Sequence, residues 1–262
     1  MSNKSIEIIK RILRQIIFYA LLIAVWQCLY FIGTSIFTWW KPYAFPNPLG
    51  VWRSLVTSIQ QKLLFTAVSY SLQRAFIGFC SAIIIGSAVG LILTQIKILS
   101  EMTKPFILGI QSLPSVCWVP FAILWFGLTE KSIIFVVIMG SAFSIAIAVE
   151  SAIRNVNPLY IKAARTMGAR GGTLYFRVIL PASLPSLVTG LKQGWSFAWR
   201  ALASAEVMSA TIGLGQTLMM GRDLADINRV MLIIIIIILI GVLIEKLVFS
   251  ITEERLLNRI GL

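Results

Sequence analysis

The sequence predicts an all-α membrane protein of about six transmembrane helices, and three observations predict it. Hydrophobic residues fill 58% of the 262 positions and charged residues only 13%. Mean hydropathy is +0.89, well above the range of soluble domains. The apolar residues also fall in runs, six of which approach the ~20 residues needed to cross ~30 Å of hydrocarbon. One membrane domain over residues 1–262 is expected, with no sizeable soluble part.

The candidate spans are 15–37, 76–94, 105–126, 132–149, 184–206 and 230–250. Lys4, Lys10, Arg11 and Arg14 lead into the first. That run is too long for a signal-peptide core and no small-residue cleavage site follows it, so it is expected to anchor the chain with its N-terminus cytoplasmic. An even number of spans returns the C-terminus to the same side. Cytoplasmic segments then carry nearly twice as many Lys and Arg as the outside ones, as positive-inside topology requires. Residues 38–75 begin with the Pro-rich "KPYAFPNPLGVWRSL" and are expected to form an outside loop and a peripheral helix.

Composition excludes several classes. The net charge is +13, but the 23 Lys and Arg lie in the gaps between apolar runs instead of on one face, which indicates topology and not nucleic-acid binding. Cys28, Cys80 and Cys117 are isolated in or beside apolar runs, so no disulfide framework or metal cluster is expected. Histidine is absent, which removes the commonest general base and zinc ligand. Glu130, Glu150 and Glu206 fall at separate points of the map, so no carboxylate pair for acid–base chemistry is visible.

Two spans carry features that suit a polar pathway. The third contains Pro105, Pro114 and Pro120, and its centre, "LPSVCWVP", is expected to be broken or kinked. Backbone groups freed inside a membrane must be satisfied by protein or water, so Pro114 and Pro120 are candidate pathway residues. In the fifth span Lys192, Ser196, Arg200 and Ser204 recur every four residues and form one stripe. From a start near Leu184, Lys192 lies ~12 Å and Arg200 ~24 Å along the helix. Such cations either pair with Glu150 or Glu206, with Arg200 free to snorkel, or line an anion-attracting cavity. Trp195 and Trp199 share a face and suit packing. Glu206 fits a contact across a dimer or a wet helix end equally well.

The stretch "KAARTMGARGGTLYFRVILP", residues 162–181, interrupts this pattern between the fourth and fifth spans. Asn157 and Pro158 read as an N-cap and first helical residue, and Gly168 as a stop. Gly171 and Gly172 loosen the chain, Thr173 is placed to cap a second run, "LYFRVIL", and Pro181 to close it. A cytoplasmic two-helix loop over about 155–181 results. Leu159, Ala163 and Met167 form an apolar strip beside basic Lys162, Arg165 and Arg170. Docking to a protein and lying on anionic headgroups satisfy this pattern equally.

Ala163, Ala164, Gly168, Leu180 and Pro181 resemble the coupling motif of ABC importer permeases, which reads E-A-A, three residues, G, nine residues, I-x-L-P. Val178 stands in the isoleucine position and Lys162 in that of the glutamate, so a salt bridge made by that glutamate does not carry over. "SLPSVCWVPFAILWFGLTEKS" and "GLKQGWSFAWRALASAEV" resemble the nitrate, sulfonate and taurine branch, and the likeness runs from about Phe45 onward. The resemblance implies a type I ABC importer permease fold and a homodimer-like pair of permeases in a bacterial inner membrane. It also implies a cytoplasmic ABC ATPase dimer and an extracytoplasmic solute-binding protein. Lys162, Ala163, Ala164, Met167, Gly168, Leu180 and Pro181 would couple to the ATPase. No G-x-x-x-x-G-K-[ST] occurs in this chain, so ATP and Mg are expected on a partner and no cofactor here. A secondary transporter would need an inverted repeat and coupling-ion carboxylates, and a membrane enzyme would need clustered catalytic groups. Neither is visible. The cargo implied is a small anionic or zwitterionic solute such as a sulfonate, taurine or nitrate.

Overall fold

Small residues and long apolar runs decide how this chain packs. In a computed structural model, residues 3–41 and 43–253 are described; the C-terminal end, expected on the cytoplasmic side, lies outside them, as do the side chains of Lys4 and Arg11. The helices are α1 (Asn3–Phe31), α2 (Pro48–Gln60), α3 (Leu63–Gln95), α4 (Lys97–Gln111), α5 (Trp118–Phe126) and α6 (Glu130–Arg154). After these come α7 (Pro158–Thr166), α8 (Gly171–Leu174), α9 (Leu180–Val207), α10 (Leu214–Asp223) and α11 (Ile227–Ile244). Among the described residues, five helical stretches are long and apolar enough to cross a membrane. The α4 and α5 segments meet at 90° and make a sixth crossing if counted as one broken span, which is the break expected at "LPSVCWVP".

Two compact units divide the chain, Met1–Phe65 with Thr217–Ile235, and Thr66–Gln216 with Ile236–Leu262. In the first, Asn47 caps α2 by accepting from the Leu49 N–H, and its own N–H donates to Asn228 Oδ1 at 2.9 Å. Trp26 Nε1 donates to the Pro46 carbonyl, and Trp40 stacks on Phe45 with centroids 4.8 Å apart. The Pro-rich segment is therefore tied down by side chains. A helix, α2, is present between 38 and 75, as expected.

In the second unit α6 packs along α9, and both present small residues to each other. Gly190 meets Ala148, and Gly194 meets Ile145. In lipid there is no hydrophobic gain in bringing helices together, so close backbone approach and dispersion contacts must supply the attraction. The same device joins α3 to α6. A Cβ on Gly86 would stand 2.6 Å from the Ala142 carbonyl oxygen, and one on Gly90 2.6 Å from that of Ala146.

Three sequence expectations are corrected. The second span begins at Leu63 and not at 76, because Ser71 and Arg74, which lower local hydropathy, are buried within the unit, where Ser71 is hydrogen-bonded and Arg74 is paired with Glu206. Pro181 does not close the loop's second helix. A π-helical turn, Tyr175–Ile179, precedes it and the helix runs on through Pro181 and Pro185, so Gly171–Val207 is one helical stretch. Proline is tolerated there because the π turn and the first turn of α9 absorb its missing donor. Thr173 lies inside α8, whose N-cap is Arg170 without a side-chain bond, and so it caps nothing.

Gly86→Val is expected to destabilise the helix bundle by about 1–3 kcal/mol, since the rigid Ala142 carbonyl cannot yield. Gly109→Val, where an added Cβ meets nothing within 4 Å, should leave stability close to wild type. Thermal unfolding of the purified variants in detergent checks the difference.

Candidate functional site

Local capping chemistry builds the loop after α6. Asn157 Oδ1 accepts from the Leu159 N–H at 2.9 Å, and Pro158 occupies the first turn of α7. At the other end Gly168 has φ +87, and the Ala169 N–H reaches back to the Ala164 carbonyl at 2.9 Å, the glycine-centred helix stop. Ala164 is buried, whereas Ala163 and Lys162 are exposed. Leu159 and Met167 are 66% and 81% exposed. Arg165 and Arg170 are exposed beside them. Leu180 and Pro181 stand apart from this surface, at the entry to α9. The structure thus brings Lys162, Ala163, Met167 and Gly168 onto one short helix and its stop.

A cavity of about 480 Å³ opens at the α4–α5 bend. Pro114, Ser115, Arg200 and Ser204 line it, with Phe197 and Trp118 as apolar walls. The Arg200 guanidinium lies 4.7 Å from the Phe197 ring centroid, and its Nε donates to the Ser196 carbonyl at 3.0 Å. No carboxylate reaches it among the described residues. The Ser115 and Ser204 hydroxyls are 3.4 Å apart. The four-residue stripe does not act as one face. Lys192 pairs with Glu245 at 3.4 Å, neither of the partners expected for it. Ser196 lines another cavity, with Trp195, Trp199 and Glu245, which Arg200 also borders, while Pro120 is exposed on α5 and does not line the cavity at the α4–α5 bend. Trp195 and Trp199 stack at 5.9 Å, and Trp199 Nε1 donates to the Ile237 carbonyl, which is the packing role expected.

The carboxylates expected apart are partly joined. Arg74, 3% exposed, contacts Glu206 at 3.0 Å through Nη1 and Glu130 at 2.8 Å through Nη2. Ser71 Oγ lies 2.8 and 2.7 Å from the two Glu206 oxygens and accepts from the Leu214 N–H, and the Gly215 N–H donates to Glu206 at 3.0 Å. Glu206 is therefore neither wet nor free to reach across a dimer; it is 1% exposed and held from several sides. Glu150 forms a second knot, with Lys104 at 2.9 Å, Arg154 at 3.0 Å and Ser100 at 3.0 Å. Every buried carboxylate here has hydrogen-bonded cations, as removal from water demands.

Comparison with known proteins decides the class. The profile of a family described as the binding-protein-dependent transport system inner membrane component matches residues 82–257. The chain belongs to that family. An aliphatic sulfonates transport permease protein of Escherichia coli is 33% identical over 245 residues, 92% of this chain and 88% of that one. An ABC transporter permease protein of Methanocaldococcus jannaschii is 33% identical over 177 residues, covering 67% of this chain and 66% of the relative's length. In fold the permease is similar to a chain of the MetNI methionine ABC transporter in an inward-facing conformation, with a TM-score of 0.62 and 22% identity over 74% of this chain and 96% of that one. The permease is thus a multi-pass, non-catalytic membrane subunit of an ATP-driven importer, working with a separate ATPase and a solute-binding protein.

Sequence reasoning missed Ser115, Phe197 and Arg74. A cation within the early part of a long helix signals a buried acidic partner. Placing the second span at 76 left Arg74 outside it and hid that signal. Glu206→Leu in the permease should cost about 3–5 kcal/mol, because it removes one of the two carboxylates of buried Arg74 and leaves Arg74 Nη1 and the Gly215 N–H without their acceptor. Glu206→Gln, which keeps acceptors for Ser71 and Gly215, should lose less. Denaturant or thermal unfolding in detergent distinguishes the two.

Proposed function

We propose that this permease, acting as one of two identical subunits, forms the pathway for a small anionic or zwitterionic solute and seats α7 with its following turn on a cytoplasmic ATPase. The observation that carries the cargo is Arg200, a cation on a membrane-crossing helix that lines a largely apolar cavity beside the Ser115 and Ser204 hydroxyls and has no carboxylate ion-pair partner among the described residues. Two charges about 4 Å apart at an effective dielectric near 20 attract by about 4 kcal/mol, ample to draw an anion in without locking it. Pro114, Ser115 and Ser204 complete that lining. Lys192 is engaged by Glu245, so the anion reading rests on Arg200. The sulfonate permease of E. coli among the relatives supports an oxyanion such as a sulfonate.

Coupling is supported by the exposed Leu159, Lys162, Arg165 and Met167 on α7 and its C-cap, with Arg170 in the turn that follows, the helix being capped at both ends. In this reading the loop over 155–181 is cytoplasmic, as are both termini, and lipid surrounds one permease domain. ATP and Mg sit on the ATPase pair, and the binding protein delivers solute from the other side. A second reading, that α7 lies on anionic headgroups, fits the same exposed surface.

Gly168→Glu separates the two. Its Cβ would meet nothing within 4 Å, so the cost is the strain of a non-glycine residue at φ +87, about 1 kcal/mol, plus a new negative charge at the turn. Co-purification should show about tenfold weaker ATPase association with membrane insertion intact. Gly168→Ala, which carries the strain alone, should associate nearly as wild type. Undiminished association and transport in the glutamate variant would assign α7 to the membrane surface.

A further inference from the structure

Gln111, the last residue of α4, lines two cavities at once. One is the Arg200 cavity. The second, about 410 Å³, carries Ser144, Ser151 and Asn155 from α6 and its end and Ser186, Thr189 and Gln193 from α9. Its polar groups are hydroxyls and amides, and no charged side chain lines it. Both volumes fall in the range of about 300–1,000 Å³ typical of small-molecule sites.

The same two helices wall both cavities at different heights. The Arg200 cavity takes Met139 and Gly140 from α6 and residues between Phe197 and Ser204 from α9, whereas the second takes positions further along α6 and earlier on α9. Because α6 and α9 are paired and antiparallel, those shifts run in one direction, by about 15 Å at 1.5 Å per residue. The second cavity ends at Asn155, two residues before the cap of α7. Gln111 is the lining residue they share, and its Oε1 is buried with no hydrogen-bond partner among the described residues. That oxygen does not tie the side chain into a structural network, so the amide is free to turn its N–H groups towards a solute.

We infer that one solute occupies the two cavities in turn and that Gln111 is the point at which its charge is tested. The solute is a small organic oxyanion. Arg200 and the Ser115 and Ser204 hydroxyls hold its head, and Phe197 and Trp118 accommodate its apolar part. Beyond Gln111 no cation retains it, so the uncharged second cavity releases it towards the α7 side. A neutral amide passes an oxyanion by donating to it, and a carboxylate of the same size repels it. This rests on the reading of α7 as the cytoplasmic, ATPase-facing element.

The test uses vesicles holding the permease with its ATPase and binding protein, with uptake of a radiolabelled short alkanesulfonate and ATP hydrolysis followed together. Gln111→Glu should lower uptake per ATP by about tenfold or more, while assembly and binding-protein-stimulated hydrolysis persist. Unchanged uptake per ATP would overturn the inference. If that variant does not assemble, Gln111→Cys in a chain with Cys28, Cys80 and Cys117 changed to Ser decides. Labelling by an anionic thiol reagent, slowed by the alkanesulfonate, supports the inference, and labelling indifferent to it or absent overturns it. Should the unaltered assembly show no hydrolysis response to its binding protein, the importer reading fails instead, and the two failures remain distinct.

Discussion

A carboxylate buried at the end of a membrane helix needs compensating charge and hydrogen bonds, and the neighbourhood of Glu206 is arranged by that requirement. Arg74 supplies the cation from α3, Ser71 a hydroxyl from the same helix, and Gly215 a backbone N–H from beyond the end of α9. Arg74 in turn spans to Glu130 at the start of α6. Three parts of the chain far apart in sequence, α3, the start of α6 and the α9–α10 junction, are thereby tied together. Coulomb attraction strengthens as water is excluded, but so does the penalty for any missing member, which makes the cluster an all-or-none joint. Glu150 repeats the arrangement with Lys104 on α4 and Arg154 on α6.

Between those two knots the α6–α9 pair has to be tight and polar at once. Small residues reconcile the demands, since Gly190 against Ala148 lets backbones approach while Ser144 and Ser186 leave hydroxyls on a lining. The 90° break between α4 and α5 serves the same end, because a continuous apolar helix there would fill the cavity that Arg200 lines. Irregular backbone at that depth is acceptable only against protein or water.

What the sequence made legible was local. Asn157, Pro158 and Gly168 specify the ends of α7 through side-chain and backbone chemistry within a few residues, and the helix forms between them as expected. The break at Pro114 was likewise visible, because proline acts on its own neighbourhood. Pro181 misled for the same reason: the local rule stops a helix, but a π turn upstream removed the conflict. The start of α3, the partner of Lys192 and the burial of Glu206 were hidden because each depends on a group contributed from elsewhere. Lys192 meets Glu245 from the last described helical stretch, and Arg74 becomes acceptable in a span only once Glu206 lies beside it. Gln111 carried no signal at all, since an amide at a helix end is commonplace until the two spaces beside it are seen.

The unbroken run from Gly171 to Val207 has a mechanical consequence. At 1.5 Å per residue its 37 residues measure roughly 55 Å, from beside α7 to the Glu206 knot. Had Pro181 ended one helix and begun another, a push on α7 would dissipate in a pliant joint. As a single rod, a tilt of about 5° at one end displaces the other by about 5 Å, close to one helical turn. Proline within its first turns lets the rod flex there without severing it, so in the coupling proposed above the length of a stroke would be set by the rod and its direction by where the rod is allowed to flex.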